Sequence, residues 1–241
     1  KLEESALKLA KSERESAWRE MAKQVAHEIK NPLTPMRLSI QHLERSLDPK
    51  SPDFQKNLSA FSKKLIQQID TLTTIANEFS RFAKMPKLQL SKVDIKDIIN
   101  TTIELFKDVN NIQLSFEFNS LESAYISGDK EQLIRVFNNL VNNAIQAIPD
   151  EKEGVIKLKL KKERAVYLVV VEDNGNGMPE EVKEKIFQPN FTTKSTGAGL
   201  GLAMVKQIID SHQGKISFIS SQEKGASFFI EFPILKNEKS D

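Results

Sequence analysis

The sequence predicts two architectures in succession: an antiparallel helical hairpin that dimerises into a four-helix bundle, then an α/β sandwich built on a mixed sheet. Up to Phe82, apolar residues recur at intervals of three and four, which is the pattern of amphipathic helices. Beyond Pro86, strands in hairpins alternate with helices, a pattern typical of a mixed sheet covered on one face. We therefore expect a connector helix at 1–17, the hairpin at 18–86, the α/β domain at 87–236 and a polar tail at 237–241.

Composition excludes several classes of protein. The 241 residues have 39% hydrophobic content and a net charge of +2, which suits one or two globular domains and gives no indication of nucleic-acid binding. There is no cysteine for a disulfide or a thiolate metal site, and no apolar run approaches the ~20 residues of a membrane helix. Because the chain starts at Lys1 without an initiator methionine, we expect a cytoplasmic piece of a longer protein, which a missing N-terminal region could anchor in a membrane.

The first long helix displays a histidine away from its apolar seam. The seam consists of Ile29, Leu33, Met36, Ile40, Leu43 and Leu47. At about 100° per residue, His27 lies on the opposite face, with Asn31 and Thr34 close to it. Pro32 and Pro35 each delete a backbone hydrogen bond just after His27, so we expect the helix to bend there.

The second long helix should pack against the first. It follows a turn at 48–53 and ends at Met85-Pro86-Lys87, the predicted domain boundary. Its seam consists of Phe54, Leu58, Phe61, Leu65, Leu72, Ile75, Phe79 and Phe82. Two such stripes cannot enclose a core alone, so we expect a homodimer. For residues 1–17, both a coiled coil that delivers a signal and a solvated helix start remain open.

The elements of the α/β domain follow from capping residues and strand patterns. Asp94 caps a helix, and a strand at 112–118 has 124–127 as its short partner. The later elements are a long helix at 129–148, a hairpin of strands at 155–160 and 165–171, a short helix at 179–187, a helix at 200–211, and a last hairpin at 214–220 and 226–232.

The pair His27-Glu28 is a candidate for nucleophilic chemistry. An imidazole displayed to solvent can attack an electrophile while the adjacent carboxylate takes its proton. Asn31, one turn further on, could orient a water molecule toward a group carried on His27. A lone His-Glu pair is more often an ordinary surface pair, so this interpretation depends on the second domain. His42 and His212 have no adjacent acid and are predicted to be surface residues.

Four asparagines lie within six residues of the long helix at 129–148. Asn139 and Asn143 are one turn apart on the flank of its buried face, whereas Asn138 and Asn142 should point into solvent. Amides at a buried edge can supply a Mg²⁺ ligand and hydrogen bonds to phosphates. A polar helix edge without function is an equally good explanation of this feature taken alone.

Two glycine motifs follow. A buried strand ends at Asp173, with Gly175 and Gly177 after it, so a carboxylate could accept a hydrogen bond from an adenine amino group while the glycines let the backbone approach. By itself this is also an ordinary turn. The run Gly197-Ala198-Gly199-Leu200-Gly201 feeds directly into a helix and should form an anion site, and 188–199 should be a mobile lid.

From about Trp18 to Pro233 the sequence resembles the cytoplasmic core of a sensor histidine kinase of a two-component system. The matching motifs are His27 to Pro35 (phosphoacceptor box), Asn139 with Asn143 (asparagine box), Asp173 to Gly177 (first glycine box), Phe187 to Lys194 (phenylalanine box) and Gly197 to Leu202 (second glycine box). The His-Glu-x-x-Asn-Pro-Leu-Thr-Pro-Met run and the Asn-Ala-x-Gln-Ala run resemble the nitrogen-regulation branch. Two departures are Gln146, where many members carry lysine, and Gly225 to Phe228, a loose match to the closing Gly-Thr-x-Phe.

This resemblance implies a Bergerat-type domain that binds ATP and Mg²⁺, with Asn143 as the metal ligand. The implied nucleotide contacts are Asn139, Asn143, Asp173, Gly175, Gly177, Phe187, Thr193, Lys194, Gly197, Gly199, Leu200 and Gly201. It also implies transfer of the γ-phosphoryl group to Nε2 of His27 with Glu28 as general base, then transfer to an aspartate of a response regulator receiver domain. Asn31 would serve the reverse, phosphatase activity.

Two other functions are weighed against this one. Nucleotide hydrolases of the same ATP-binding fold, like gyrase and chaperone ATPases, place a glutamate four residues before the metal-binding asparagine. Here that position is Asn139, which cannot act as a base. The other alternative is a non-catalytic dimerisation module, and the intact His27, Asn143 and Asp173 argue against it.

Overall fold

The computed structural model describes residues 25–26, 29–44, 54–83, 88–118, 121–188, 191–192 and 199–235. They belong to two compact units, one comprising Lys1–Met85 with Pro189–Leu200 and the other Pro86–Gln188 with Gly201–Asp241. The connector at 1–17, the turn at 48–53 and the tail at 237–241 lie outside the described residues.

The first unit contains two helices, α1 over residues 29–44 and α2 over Phe54–Ala83. The predicted second helix is therefore confirmed. Several apolar residues of these helices stay exposed, including Leu33 at 46% and Ile66 at 57%. Such a stripe is what a helical pair needs in order to pack against further helices.

The second unit carries the sheet and the remaining helices. Its elements are β1 (Ser91–Asp94), α3 (Ile95–Phe106), β2 (Ile112–Glu117), β3 (Tyr125–Gly128), α4 (Lys130–Ala147), β4 (Gly154–Glu163), β5 (Val166–Asp173), α5 (Glu180–Lys183), α6 (Gly201–Ser211), β6 (Lys215–Ser220) and β7 (Ala226–Pro233). The five-stranded sheet has the order β2-β4-β5-β7-β6, and β2–β4 is its parallel pair. The mixed sheet and both predicted hairpins are confirmed.

Helices α3, α4 and α6 pack together, and α4 also contacts β4 and β5. Along β4 burial alternates strictly from Gly154 to Leu160, because every second side chain faces the helices. On the other face Lys159 pairs with Glu172 at 2.6 Å. The apolar layer between helices and sheet includes Phe137, Leu140, Ile156, Leu158, Val169, Ile209, Ile230 and Phe232.

The predicted cap at Asp94 is present, and Asp129 caps α4 in the same way. The Asp94 carboxylate accepts the Lys96 N–H at 3.0 Å, and Asp129 accepts the Gln132 N–H at 3.2 Å. Each side chain satisfies one of the free amides at its helix start. Asp129 therefore fixes the register of α4, the helix that carries the asparagines.

The predicted partner of β2 was wrong. Segment 124–127 contributes to β3, which pairs antiparallel with β1, whereas β2 runs parallel to β4. The reason is the cap: Asp94 Oδ1 also accepts the Ala124 N–H at 3.0 Å and so draws this segment to β1. Within the described ranges, no helix has the length and apolarity of a membrane span.

The prediction that His212 lies on the surface was also wrong. Its side chain is only 4% exposed, its Nε2 accepts the Asp129 N–H at 2.9 Å, and its Nδ1 lies 2.7 Å from the Ile208 carbonyl oxygen. These contacts link the end of α6 to the start of α4. His42 is exposed, as predicted.

Candidate functional site

Asp173 ends β5 as a buried carboxylate, 8% exposed. Its Oδ1 accepts the Gly175 N–H at 2.8 Å and the Ala226 N–H at 3.3 Å. Among the described residues, both hydrogen bonds to this carboxylate fall on the same oxygen. Oδ2 therefore has its lone pairs available for a donor on a ligand.

Burial raises the pKa of Asp173, since the charged form loses hydration. The two backbone hydrogen bonds and the Lys152 ammonium group lower that pKa, and Glu172 raises it. The site therefore combines a desolvated carboxylate with donors that stabilise its charge, which is an arrangement for recognising a small polar group.

Gly175 and Gly177 are required by close backbone approach. A Cβ on Gly175 would lie 2.6 Å from the Ala147 carbonyl oxygen at the end of α4, and the Asn176 N–H donates to that same oxygen at 2.9 Å. Gly177 has a φ of 64°, and a Cβ there would lie 2.0 Å from the Ser221 carbonyl oxygen. The turn after β5 thus packs closely against both the end of α4 and the β6–β7 turn.

Asn139 and Asn143 lie beside the start of α6. A Cβ on Gly201 would lie 3.1 Å from Asn139 Oδ1 and 3.9 Å from Asn143 Nδ2, so only a glycine leaves this space open. Asn139 Nδ2 donates to the Arg135 carbonyl at 2.8 Å, which turns Oδ1 toward α6. The side-chain amides of two asparagines and the N–H groups of a helix start therefore share one region.

One detail of the asparagine prediction needs correction. Asn142 is exposed, but Asn138 is half-buried, and its Oδ1 is buried with no hydrogen-bond partner among the described residues. The predicted solvent-facing orientation of Asn138 was therefore wrong. The buried face of α4 is therefore wider than its stripe of apolar residues indicates.

Phe187 is anchored by aromatic contacts. Its ring makes an edge-to-face contact with Phe218 at 5.8 Å, and Phe218 stacks on Phe228 at 5.8 Å. The phenylalanine therefore connects the segment after α5 to strands β6 and β7.

The remaining candidate residues are placed as follows. Asn31 is exposed on α1. Gly199 has a φ of 63°, and Leu200, 2% exposed, clusters with Val25 and Ile75 in the helical unit. His27, Glu28, Thr193, Lys194 and Gly197 lie outside the described residues.

Acidic and imidazole side chains do not form a metal site in the described part of the chain, where no three or more His, Cys, Asp or Glu cluster suitably. The donor set at α4 and α6 consists of amide oxygens instead. Mg²⁺ commonly takes one or two protein oxygens and completes its shell with phosphates and water, so these amides fit it.

The motif reasoning missed a frame of hydrogen bonds around Asn174. Its Oδ1 accepts the Val155 N–H at 2.9 Å, its Nδ2 donates to the Glu153 carbonyl at 3.0 Å, and its own carbonyl accepts from Lys152 Nζ. Asparagine inside the glycine motif was the available signal, but its partners are about 20 residues earlier in the chain.

Two protein families match the chain, in the order that the fold shows. Residues 17–87 match the His Kinase A (phospho-acceptor) domain, and residues 128–236 match the Histidine kinase-, DNA gyrase B-, and HSP90-like ATPase.

The relatives are sensor kinases. The chain is 33% identical, over 92% of its length, to a putative NtrY-like sensor histidine kinase of Rickettsia bellii, and spans 36% of it. It is 31% identical, over 89% of its length, to the nitrogen regulation protein NtrY of Azorhizobium caulinodans, and spans 28% of it. The chain thus spans about a third of these curated relatives.

A solved structure agrees with them. Histidine kinase ThkA, crystallised in complex with response regulator protein TrrA, is 31% identical with a TM-score of 0.71, and the match covers 95% of this chain and 65% of ThkA. With both domains matched in this order, the chain belongs to the sensor histidine kinases of two-component systems, in their nitrogen-regulation-like branch.

Proposed function

We propose that this chain transfers the γ-phosphoryl group of ATP to Nε2 of His27 and passes it on to an aspartate of a response regulator receiver domain. The observation that carries the proposal is the Asp173 carboxylate, whose Oδ1 is fixed by two backbone amides while Oδ2 remains for a ligand. Domains 18–86 and 87–236 then supply the acceptor and the nucleotide site, respectively.

Adenine is the base that Asp173 selects. Oδ2 accepts a hydrogen bond from the exocyclic amino group of adenine, whereas the carbonyl oxygen of guanine at the same place would be repelled. Gly175 and Gly177 let the turn after Asp173 pack against the Ala147 and Ser221 carbonyls, which holds the carboxylate in place.

The phosphates bind where α4 meets α6. Backbone N–H groups at Gly197, Gly199, Leu200 and Gly201 and the positive end of α6 attract them, and Asn139, Thr193 and Lys194 add donors. Asn143 holds Mg²⁺ through its amide oxygen. The metal ion supplies charge neutralisation on the transferred group.

His27 is the nucleophile. Its Nε2 forms the bond to phosphorus as ADP leaves, while Glu28 takes the imidazole proton. The reaction needs positioning and charge stabilisation more than covalent assistance, which suits a small set of protein groups.

The phosphorylated histidine then serves a partner protein. ThkA is described in complex with a response regulator, and by similarity we propose that a receiver domain docks on the helices of this chain as well. The exposed apolar residues of α1 and α2 support a homodimer. Asn31, exposed near His27, is proposed to orient water for the regulator's dephosphorylation.

The test is phosphorylation with γ-labelled ATP and Mg²⁺ in the wild-type chain, His27→Gln and His42→Gln. His42 is an exposed histidine on α1 and is therefore the matched control. We expect base-stable, acid-labile label in the wild type and His42→Gln, and none in His27→Gln. Release of free phosphate independent of His27, without label, would instead establish a hydrolase.

A further inference from the structure

The loop between α4 and β4, residues 148–153, is held in a defined conformation by Asn111. This asparagine has a φ of 61°, and its Nδ2 donates to the carbonyls of Asp150 at 3.3 Å and Lys152 at 3.0 Å. The Gly154 N–H donates back to the Asn111 carbonyl at 2.9 Å. These hydrogen bonds fix the backbone of Lys152, although its loop lies at the surface.

From this loop, Lys152 reaches the residue that follows Asp173. Its Nζ donates to the Asn174 carbonyl. The Asn174 side chain forms hydrogen bonds with the backbone of Glu153 and Val155, so one hydrogen-bond network joins the loop to the end of β5. A displacement of Lys152 would therefore move the turn that positions Asp173.

The Lys152 ammonium group is also the positive charge that acts on the Asp173 carboxylate. From β5, Glu172 acts in the opposite sense, but Lys159 on β4 pairs with Glu172 at 2.6 Å. α4 and β7 contribute the Ala147 carbonyl and the Ala226 N–H around this turn, and from the β6–β7 turn the Glu223 N–H donates to the Asn176 carbonyl at 2.6 Å. The positive charge of Lys152 thus favours the charged form of the Asp173 carboxylate, which burial disfavours.

We infer that Lys152 is a positioning residue for nucleotide recognition, which holds the turn after β5 in place and sets a positive charge beside the Asp173 carboxylate that meets the adenine amino group. The inference rests on the proposed function for the role of Asp173. The effect of the Lys152 charge on the Asp173 carboxylate does not depend on a bound nucleotide.

The first measurement therefore uses the protein without nucleotide. The carboxyl carbon of Asp173 is followed by NMR from pH 3 to pH 8 in the wild type, Lys152→Met, Lys152→Arg and Lys161→Met. Lys161 is an exposed lysine on β4 and is the matched control. We expect the Asp173 titration to move to higher pH in Lys152→Met alone. An unchanged titration would overturn the inference whatever the protein binds.

The second measurement is the Kd of ADP, without metal, across pH 5 to 8. Lys152→Met should weaken binding more at the acidic end than at pH 8, where the loss should be less than about twofold, because a proton on the Asp173 carboxylate makes it a weaker acceptor for the adenine amino group. Lys152→Arg should restore binding. Titration of the ADP phosphates is common to all variants and cancels in the ratio.

The outcomes are distinct. Equal weakening at every pH would show that Lys152 only supports the loop, and would overturn the inference. Failure of the wild type to bind ADP at any pH would overturn the role of Asp173, and the proposed function with it, even if the NMR titration shifts as expected.

Discussion

Asp173 at the end of β5 accepts a hydrogen bond from the Ala226 N–H at 3.3 Å, from a strand that begins 53 residues later in the chain. The same oxygen accepts the Gly175 N–H at 2.8 Å. One oxygen of the carboxylate therefore holds the turn against the sheet, and the other remains as an acceptor for a ligand. A substitution that preserves the first oxygen and changes only the second separates these two roles.

Asp173→Asn is that substitution. Its amide oxygen can still accept both backbone donors, but its NH₂ group then replaces Oδ2 and faces the adenine amino group as donor against donor. We expect ATP affinity to fall by about 10- to 100-fold, the usual worth of a hydrogen bond to a charged group. Calorimetry with ATP and ITP measures it, and the preference should move toward ITP, whose carbonyl accepts from the new donor.

The unfolding temperature of Asp173→Asn should stay close to that of the wild type, because the two backbone donors keep an acceptor. Unchanged ATP affinity would remove Asp173 from the nucleotide site. A loss of both nucleotides together with a large drop in unfolding temperature would show that the side chain is structural.

Asn143→Asp tests the proposed metal and phosphate contact. A new carboxylate beside the phosphates repels them, and we expect His27 labelling to be lost while the dimer persists. Asn142→Asp adds the same charge one residue away on an exposed position and should keep labelling. The measurement is γ-label incorporation together with light scattering. Equal labelling of the two variants would contradict the role of Asn143.

Gly177→Ala and Gly201→Ala separate a structural glycine from a site glycine. At Gly177 the φ of 64° alone costs a side chain about 1–2 kcal/mol, and its Cβ would meet the Ser221 carbonyl at 2.0 Å. We expect an unfolding temperature lower by at least about 4–8 °C. At Gly201 the nearest atom is the end of the Asn139 side chain at 3.1 Å, which can move, so stability should change little and ATP binding should weaken.

Thermal melting of both variants, read by circular dichroism, checks this difference. A Gly177→Ala variant as stable as the wild type would mean that the turn after β5 can relax. A destabilised Gly201→Ala variant would mean that the space beside Asn139 is needed for folding rather than for a ligand.

Local patterns accounted for most of the secondary structure. Asp94 and Asp129 start their helices as caps, and both hairpins lie where alternation and turn residues predict them. These signals act over a few residues, so one sequence contains them in full.

Long-range pairings could not be obtained in this way. The pairing of β1 with β3 and the bond from Lys152 to Asn174 join segments whose sequences carry no mark of their neighbours. Burial of His212 depends on the Asp129 N–H, 83 residues away. For the candidate site, motif spacing predicted Asp173 and the asparagines, while the hydrogen-bond partners of these residues became visible only in three dimensions.

His212 predicts a pH dependence of stability. Burial lowers its pKa below the ordinary value of 6.5, so the folded protein binds fewer protons than the unfolded chain. The stabilisation is therefore complete above about pH 6.5 and is lost as pH falls through the lowered folded pKa. Protonation would also place an N–H against the Asp129 N–H that Nε2 now accepts.

The check is the unfolding free energy at pH 7.5 and pH 5.5 in the wild type and His212→Gln. The wild type should lose more stability on acidification, and the difference between the two proteins isolates His212 from the carboxylates. Should His212→Gln not fold, NMR of the wild type decides: the His212 ring must titrate at a lower pH in the folded protein than in the urea-unfolded chain.

Asn31→Ala separates the two proposed activities of the acceptor helix. Autophosphorylation depends on His27, Glu28 and the nucleotide, so losing an amide one turn away should reduce it by less than about threefold. Dephosphorylation of the regulator depends on an oriented water molecule, so it should fall by about tenfold or more. The matched control is Gln41→Ala, which removes another exposed amide from α1 and should leave both activities unchanged. Labelling of the chain and loss of label from the phosphorylated regulator measure the two rates, and an equal loss of both would remove the water-orienting role from Asn31.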